Sequence, residues 1–243
     1  MGAGSYALLT SAGVSPQTSL LIMLIVPVGL AATFWCLISP SRAHSSDEYL
    51  ALADDEDLED EVIPRHSELT LLDKLNLVRT RLIKYMIPLG LVYYSEYLIN
   101  QGIFELLYYP STFLSHQQQY RWYQLIYQLG VLISRSSLSC LVINRIYILS
   151  IFQGLNLLLL TYQSVYFPII GNFGLILTFL FILWEGLLGG AAYVNTFHKI
   201  SEESNDRDRE FSLGISSLAD STAIGFAAIS ALPLHNWICD LPL

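Results

Sequence analysis

The sequence predicts an all-α polytopic membrane protein, and three observations carry that prediction. Five apolar stretches of about 17–25 residues occupy 19–38, 85–109, 146–162, 169–193 and 211–234, and a bilayer core of roughly 30 Å needs about 20 helical residues to cross it. The composition is 53% hydrophobic and only 14% charged, well below the roughly 25% charged residues of a soluble domain. The basic residues are also distributed unevenly along the chain, in a way that only a set of alternating spans explains.

The chain opens on 1–13, a small-residue apolar segment around Ala7, Leu8 and Leu9 that is too short to span. It lacks a basic n-region and is not a signal peptide; it looks like the tail of a helix that begins upstream. Ser15 and Pro16 then supply a cap and a first helical residue, which start span A (19–38).

A long polar connection follows at 39–84. Nine of the 21 acids fall between Asp47 and Glu61 with no Lys or Arg among them, so the net charge of −9 is local, and the run has the composition of a solvated loop. Nothing is basic enough to suggest nucleic acid. Glu68, Leu71 and Leu72 resemble an acidic dileucine sorting signal, with the acid one residue too close to the leucine pair. Leu71, Leu75, Val78 and Leu82 repeat at helical spacing between Lys74, Arg79, Arg81 and Lys84. Segment 68–84 is either a basic amphipathic helix on an anionic membrane surface or the solvated beginning of span B.

Span B (85–109) is followed by a more polar helix. Residues 119–138 carry Gln124 and Gln128 at helical spacing, with Arg121 and Arg135 towards the two ends. This is a poor lipid-facing helix but a plausible span C with its polar face turned into a bundle. Spans D (146–162), E (169–193) and F (211–234) complete the set. The domains are then 1–38, the 39–84 loop and an 85–243 transmembrane bundle.

With six spans, eleven of the 12 basic residues (Arg42, Arg65, Lys74, Arg79, Arg81, Lys84, Arg135, Arg145, Lys199, Arg207 and Arg209) fall on one side, and Arg121 alone falls on the other. Basic residues near span ends are retained in the cytosol, so loops 39–84 and 194–210 are expected to be cytosolic and the C-terminus lumenal. Removing span C scatters the charges, so the asymmetry argues for C as well as for orientation.

Three acids lie at depth: Glu96 in B, Glu185 in E and Asp220 in F. Placing an acid in hydrocarbon costs at least about 2.5–3.5 kcal/mol on insertion scales. Glu96 and Asn100 share one helix face, with Gln101 and Glu105 further round. Gly186, Gly189 and Gly190 beside Glu185 permit close helix approach, or a break that exposes backbone carbonyls. Serines and Thr222 flank Asp220. Read functionally, these acids line a pathway for a small polar solute or protons; read structurally, they are interhelical hydrogen-bond donors. Asn195 and His198, near the end of E, are either pathway residues or caps. Arg135 lies within span C, towards its expected cytosolic end.

Enzyme signatures are absent. There is no HExxH, GxSxG, GxGxxG or P-loop, and no cofactor motif. The three cysteines, Cys36, Cys140 and Cys239, are far apart and suggest neither a disulfide framework nor a metal site.

The segments Tyr94-Ser-Glu-Tyr-Leu-Ile-Asn-Gln-Gly-Ile-Phe-Glu-Leu-Leu107, Gln118-Gln-Tyr-Arg-Trp-Tyr-Gln124, Ser134-Arg-Ser-Ser-Leu138, Glu185-Gly-Leu-Leu-Gly-Gly-Ala-Ala-Tyr-Val-Asn-Thr-Phe-His198, Arg209-Glu-Phe211 and Ala231-Leu-Pro-Leu-His235 resemble the battenin family of Batten disease, across nearly the whole chain. That family is similar to the major facilitator superfamily, in which two six-helix halves surround a central cavity. The resemblance implies that the chain corresponds to the latter portion of such a fold, partnered by an N-terminal helical half. It implies that B, C, E and F line the cavity while D is peripheral. It also implies a lysosomal and late endosomal membrane protein tied to lysosomal pH homeostasis, autophagy, basic amino-acid handling and export of glycerophosphodiesters. The rival expectation is a non-transporting membrane adaptor whose cytosolic loop recruits trafficking partners.

Overall fold

The computed structural model describes residues 2–36, 70–167 and 169–241. The acidic run at 47–61 and Glu68 lie outside them. The chain is helical throughout the described residues apart from turns, and it divides into two compact units, one before and one after the 67–68 boundary.

The first unit holds α1 (Gly2–Ser11), α2 (Pro16–Met23) and α3 (Ile25–Cys36). Ser15 caps α2 as its sequence context predicts, accepting a hydrogen bond from the Thr18 N–H at 3.1 Å. The helix is interrupted at Leu24 because Pro27 has no N–H for the Met23 carbonyl. Together α2 and α3 present an outward apolar surface that includes Leu21, Ile25, Leu30 and Trp35.

The second unit is a bundle. A helical rod runs through α4 (Leu71–Leu77), a π-helical turn (Val78–Leu82), α5 (Ile83–Leu98) and a second π turn (Ile99–Ile103). Thr70 and Asp73 start it with a reciprocal capping box. The 71–84 stretch runs as helix directly into span B. Leu77 and Leu82 are its buried leucines, while Leu71, Leu72 and Leu75 are exposed. Span B was expected to run to 109, but the helix ends after Ile103. Beyond it Phe104, Leu107 and Tyr109 are buried in a non-helical turn. Gln119 holds that turn, accepting from the Tyr109 N–H at 3.0 Å and donating to the Tyr109 and Leu114 carbonyls at 2.9 Å each.

Helices α6 (His116–Ser136), α7 (Ile146–Tyr166), α8 (Gly171–Glu203) and α9 (Asp206–Cys239) complete the bundle. The last two extend past the ends predicted at 193 and 234. Hydropathy marks where hydrocarbon stops, not where a helix stops, and polar turns carry α8 and α9 outward. No break occurs at Gly186–Gly190; α8 is continuous there.

Four helical stretches are long and apolar enough to cross a membrane: Pro16–Trp35, Ile146–Tyr166, Gly171–Glu203 and Asp208–Cys239. Spans B and C fall short on that measure for separate reasons. Helix α5 is cut by its flanking π turns, and α6 carries a polar face. Large apolar side chains such as Leu132, Leu158, Leu180, Phe226 and Leu232 point outward, while polar side chains such as Gln119, Gln153, Asn156, Glu185 and Asn195 are buried. That inversion suits a protein whose solvent is lipid; the chain is an all-α, multi-pass membrane protein.

Ties at one end of the bundle gather the basic residues. Lys84 pairs with Glu203 at 3.1 Å, Lys199 donates to Asn144 at 3.0 Å, Arg209 donates to the Ser201 carbonyl at 3.3 Å, and Lys74 lies over the Phe211 ring at 5.6 Å. Arg121 lies in the first turns of α6, towards the opposite end, and bonds the Gln117 carbonyl at 3.2 Å.

Candidate functional site

Helices α6 and α8 pack closely because glycine faces glycine. A Cβ on Gly130 of α6 would sit 2.5 Å from the Leu183 carbonyl oxygen of α8, and one on Gly186 would collide with the Tyr127 carbonyl oxygen. A Cβ on Gly190 would strike the Ser134 hydroxyl, and one on Gly189 would strike the Glu96 carboxyl. The small-residue stripe therefore admits a backbone approach on one side and a carboxyl group on the other.

Glu96 lies against that stripe. Its side chain is 2% exposed, and Glu185 is 0% exposed. The Tyr127 hydroxyl donates to Glu96 Oε1. Asn100 ties the two acids together: its Nδ2 donates to the Glu96 carbonyl at 3.0 Å and to Glu185 Oε1 at 3.2 Å. The π turn that begins at Ile99 widens the helix here, and such turns recur at functional sites. The second oxygens of both carboxyl groups, and Asn100 Oδ1, are buried without a hydrogen-bond partner. No Lys, Arg or His forms an ion pair with either acid among the described residues. Two acids from α5 and α8 thus lie in one buried polar site, in which the Asn100 amide holds the Glu185 carboxyl and the Tyr127 phenol holds the Glu96 carboxyl.

The other sequence candidates lie elsewhere. Asp220 is only partly buried and accepts from its neighbour's Ser221 N–H at 2.8 Å. It is not bonded to the Glu96–Glu185 site. Arg135 is within electrostatic reach of both Asp220 and Glu96. It donates to the Tyr93 hydroxyl at 3.1 Å and lies 4.4 Å over the Tyr193 ring, a cation held by aromatic faces. Gln101 and Glu105 are exposed. Asn195 is buried, but both ends of its amide are used: Oδ1 accepts from the Ile143 N–H at 2.6 Å and Nδ2 donates to the Ala191 carbonyl at 2.8 Å. It anchors the 140–145 connection. His198 pairs with Glu202 at 3.4 Å. An apolar groove of about 640 Å³ between α5 and α9, lined by residues including Gly90, Tyr94, Ala223 and Phe226, reaches neither buried acid. No cluster of His, Cys, Asp and Glu suited to a metal occurs among the described residues.

Sequence reasoning missed Tyr127, Gln153 and Asn156. Gln153 and Asn156 are buried on α7, the helix expected to be peripheral. Their signal was present as two amides at i, i+3 in an otherwise apolar span.

Residues 1–241 match the family model described as CLN3 protein. The chain belongs to the CLN3 family. Among CLN3-like relatives, it is 45% identical to battenin of Canis lupus familiaris over 249 residues, covering 99% of this chain and 56% of the dog protein. It is 38% identical to protein BTN1 of Yarrowia lipolytica over 253 residues, covering 99% of this chain and 62% of that one. The chain therefore spans a little over half the length of these relatives. No solved structure matches it.

Proposed function

We propose that this chain is the transmembrane portion of a lysosomal and late endosomal transporter-like protein, needed for lysosomal export of small polar catabolites and for lysosomal pH homeostasis. Glycerophosphodiesters are the first substrate class and basic amino acids the second. The observation that carries the reading is the Glu96–Asn100–Glu185 site. Two buried acids without an ion-pair partner are a costly arrangement in hydrocarbon, and such groups mark proton and solute pathways. The reading assigns Glu96 and Glu185 as proton or substrate sites, with Arg135 and Asp220 as a second polar station. The α5, α6, α8 and α9 helices line one half of a major-facilitator-like cavity, whose other half an N-terminal set of helices supplies. The basic end of the bundle faces the cytosol.

The rival is an adaptor that recruits trafficking partners through the 39–84 loop, and one experiment separates the two. Cells lacking the protein receive a full-length relative carrying either Glu185→Gln at the matching position or a deletion of the acidic loop. The transport reading expects the loop deletion to rescue lysosomal glycerophosphodiester accumulation and the Gln variant to fail. The reverse pattern supports the adaptor.

A further inference from the structure

We propose that the Glu96–Glu185 site extends onto α7 and binds a desolvated alkali-metal cation, with Gln153 as the ligand opposite Glu185; this rests on the transport reading of the same site. The register of α7 against α8 places Gln153. Asn156 Nδ2 donates to the Phe181 carbonyl at 3.3 Å, and the Phe152 and Trp184 rings meet edge-on at 6.1 Å. Leu149 shares a hydrophobic cluster with Leu188. The two helices therefore run antiparallel, with 156 beside 181 and 149 beside 188. Gln153 lies between 149 and 156 on one face of α7, and Glu185 lies between 181 and 188 on α8, so the register places the two residues at one depth.

Gln153 is 0% exposed, and neither its Oε1 nor its Nε2 has a hydrogen-bond partner. Buried polar atoms are satisfied in the great majority of cases, and a group of them left open together calls for a shared ligand. Around this depth the open atoms are Glu96 Oε2, Asn100 Oδ1, Gln153 Oε1 and Nε2, Asn156 Oδ1 and Glu185 Oε2. All but one are oxygens. Water donates as often as it accepts, so a set so rich in acceptors and so poor in donors is matched better by a cation than by water alone. A cation also offsets the charge of two acids that have no ion-pair partner, Arg135 being engaged with Tyr93 and Tyr193. Hard oxygen donors select alkali and alkaline-earth ions over transition metals. With two carboxyl groups and three neutral amide oxygens the site is too weakly charged for a divalent ion, which recruits more carboxylates or keeps its own waters. An alkali cation at mid-depth between packed helices is a familiar form of coupling ion in secondary transporters.

The test is a thermal melt of the 243-residue chain in lipid nanodiscs, followed by tryptophan fluorescence in NaCl, KCl or N-methylglucamine chloride at equal ionic strength. A ligand that binds only the folded state raises Tm saturably with its concentration. NaCl or KCl is expected to raise Tm while N-methylglucamine does not. Gln153→Leu is expected to weaken the half-saturating concentration about tenfold, with Asn172→Ala, an exposed position on α8, unchanged. Equal Tm in all three salts overturns the proposal, as does a Tm that follows pH alone, which assigns the site to protons. A Gln153→Leu chain that titrates like the unmodified one removes Gln153 from the ligand set and overturns it too. Should Gln153→Leu fail to fold, the salt comparison on the unmodified chain still decides. Because the readout is binding, a cation-dependent Tm beside a loop-deleted relative that fails to rescue and a Glu185→Gln relative that rescues sinks the functional reading alone, and the opposite rescue pattern without a cation effect sinks only this one.

Discussion

Gly186 is the residue on which the geometry of the site turns. It lets the α6 backbone at Tyr127 approach α8, and that approach brings the Tyr127 hydroxyl to Glu96. Adding one methyl group there meets backbone, which cannot rotate away. Overpacking of this kind costs about 1–3 kcal/mol. Gly186→Ala is expected to lower Tm in nanodiscs, whereas Gly214→Ala, where an added Cβ meets nothing within 4 Å, is expected to leave it near the unmodified value. Equal melts for the two would show that α6 and α8 tolerate separation. The depth of Glu96 and Glu185 was legible in the sequence because an acid within a long apolar run is costly and can only sit inside a membrane bundle. Their partnership through Asn100 was only half legible: Glu96 and Asn100 sit on one face at i, i+4, but nothing in the sequence says that α8 lies against that face. Tyr127 was not legible, since a tyrosine in a span is more often packing than ligand.

At the level of the helices, one tie outside the membrane joins the head of α5 to the tail of α8. The Tyr85 hydroxyl donates to Glu203 at 2.5 Å and Lys84 pairs with the same carboxylate at 3.1 Å. The Tyr85 hydrogen bond, with Lys84 beside it, holds the Glu203 carboxyl below the usual carboxylate range. A carboxyl lowered in the folded state stabilises the fold above its unfolded pKa, about 4.3 for Glu, and that contribution fades as pH falls through the lowered value. The tie is therefore present at neutral pH and fades only as the medium becomes strongly acidic. Both side chains of the ion pair are about half exposed, so the contribution is about 1 kcal/mol at most. Glu203→Gln is expected to lower stability by up to that amount at neutral pH, and by progressively less as acid protonates the Glu203 carboxyl. A loss that does not shrink in acid would mean that charge plays no part. Element ends were the least legible feature. Span E continued for ten residues past its apolar stretch because charged turns still form helix. Span B stopped early because Gln119, on the next helix, supplies the hydrogen bonds that let 104–109 leave the helix while buried.

For the molecule as a whole, the crowding of Lys and Arg at one end of the bundle is the feature the sequence showed most clearly. It follows from charge and span count alone and needs no side-chain geometry. A tag inserted near Asp55 is expected to be reached from the cytosol after selective permeabilisation of the plasma membrane, and a tag after Leu243 to stay protected. Both tags on one side would mean an even number of crossings between them, where spans B to F make an odd one. What the sequence could not show is that α7 contributes to the interior. Its amides become meaningful only when the register against α8 is known.

The transport reading stands or falls on Glu185 being a working group of a pathway and not a structural one. Solute transport by a full-length relative carrying Glu185→Gln decides this, followed across roughly pH 5 to 7, where a proton-coupled carrier changes its rate. The amide keeps the shape of the acid and its bond from Asn100, so folding and lysosomal delivery should be retained. Transport that loses its pH dependence and falls to background, in a protein that still reaches the lysosome, is the expected result. Wild-type transport across that range would show that Glu185 is structural.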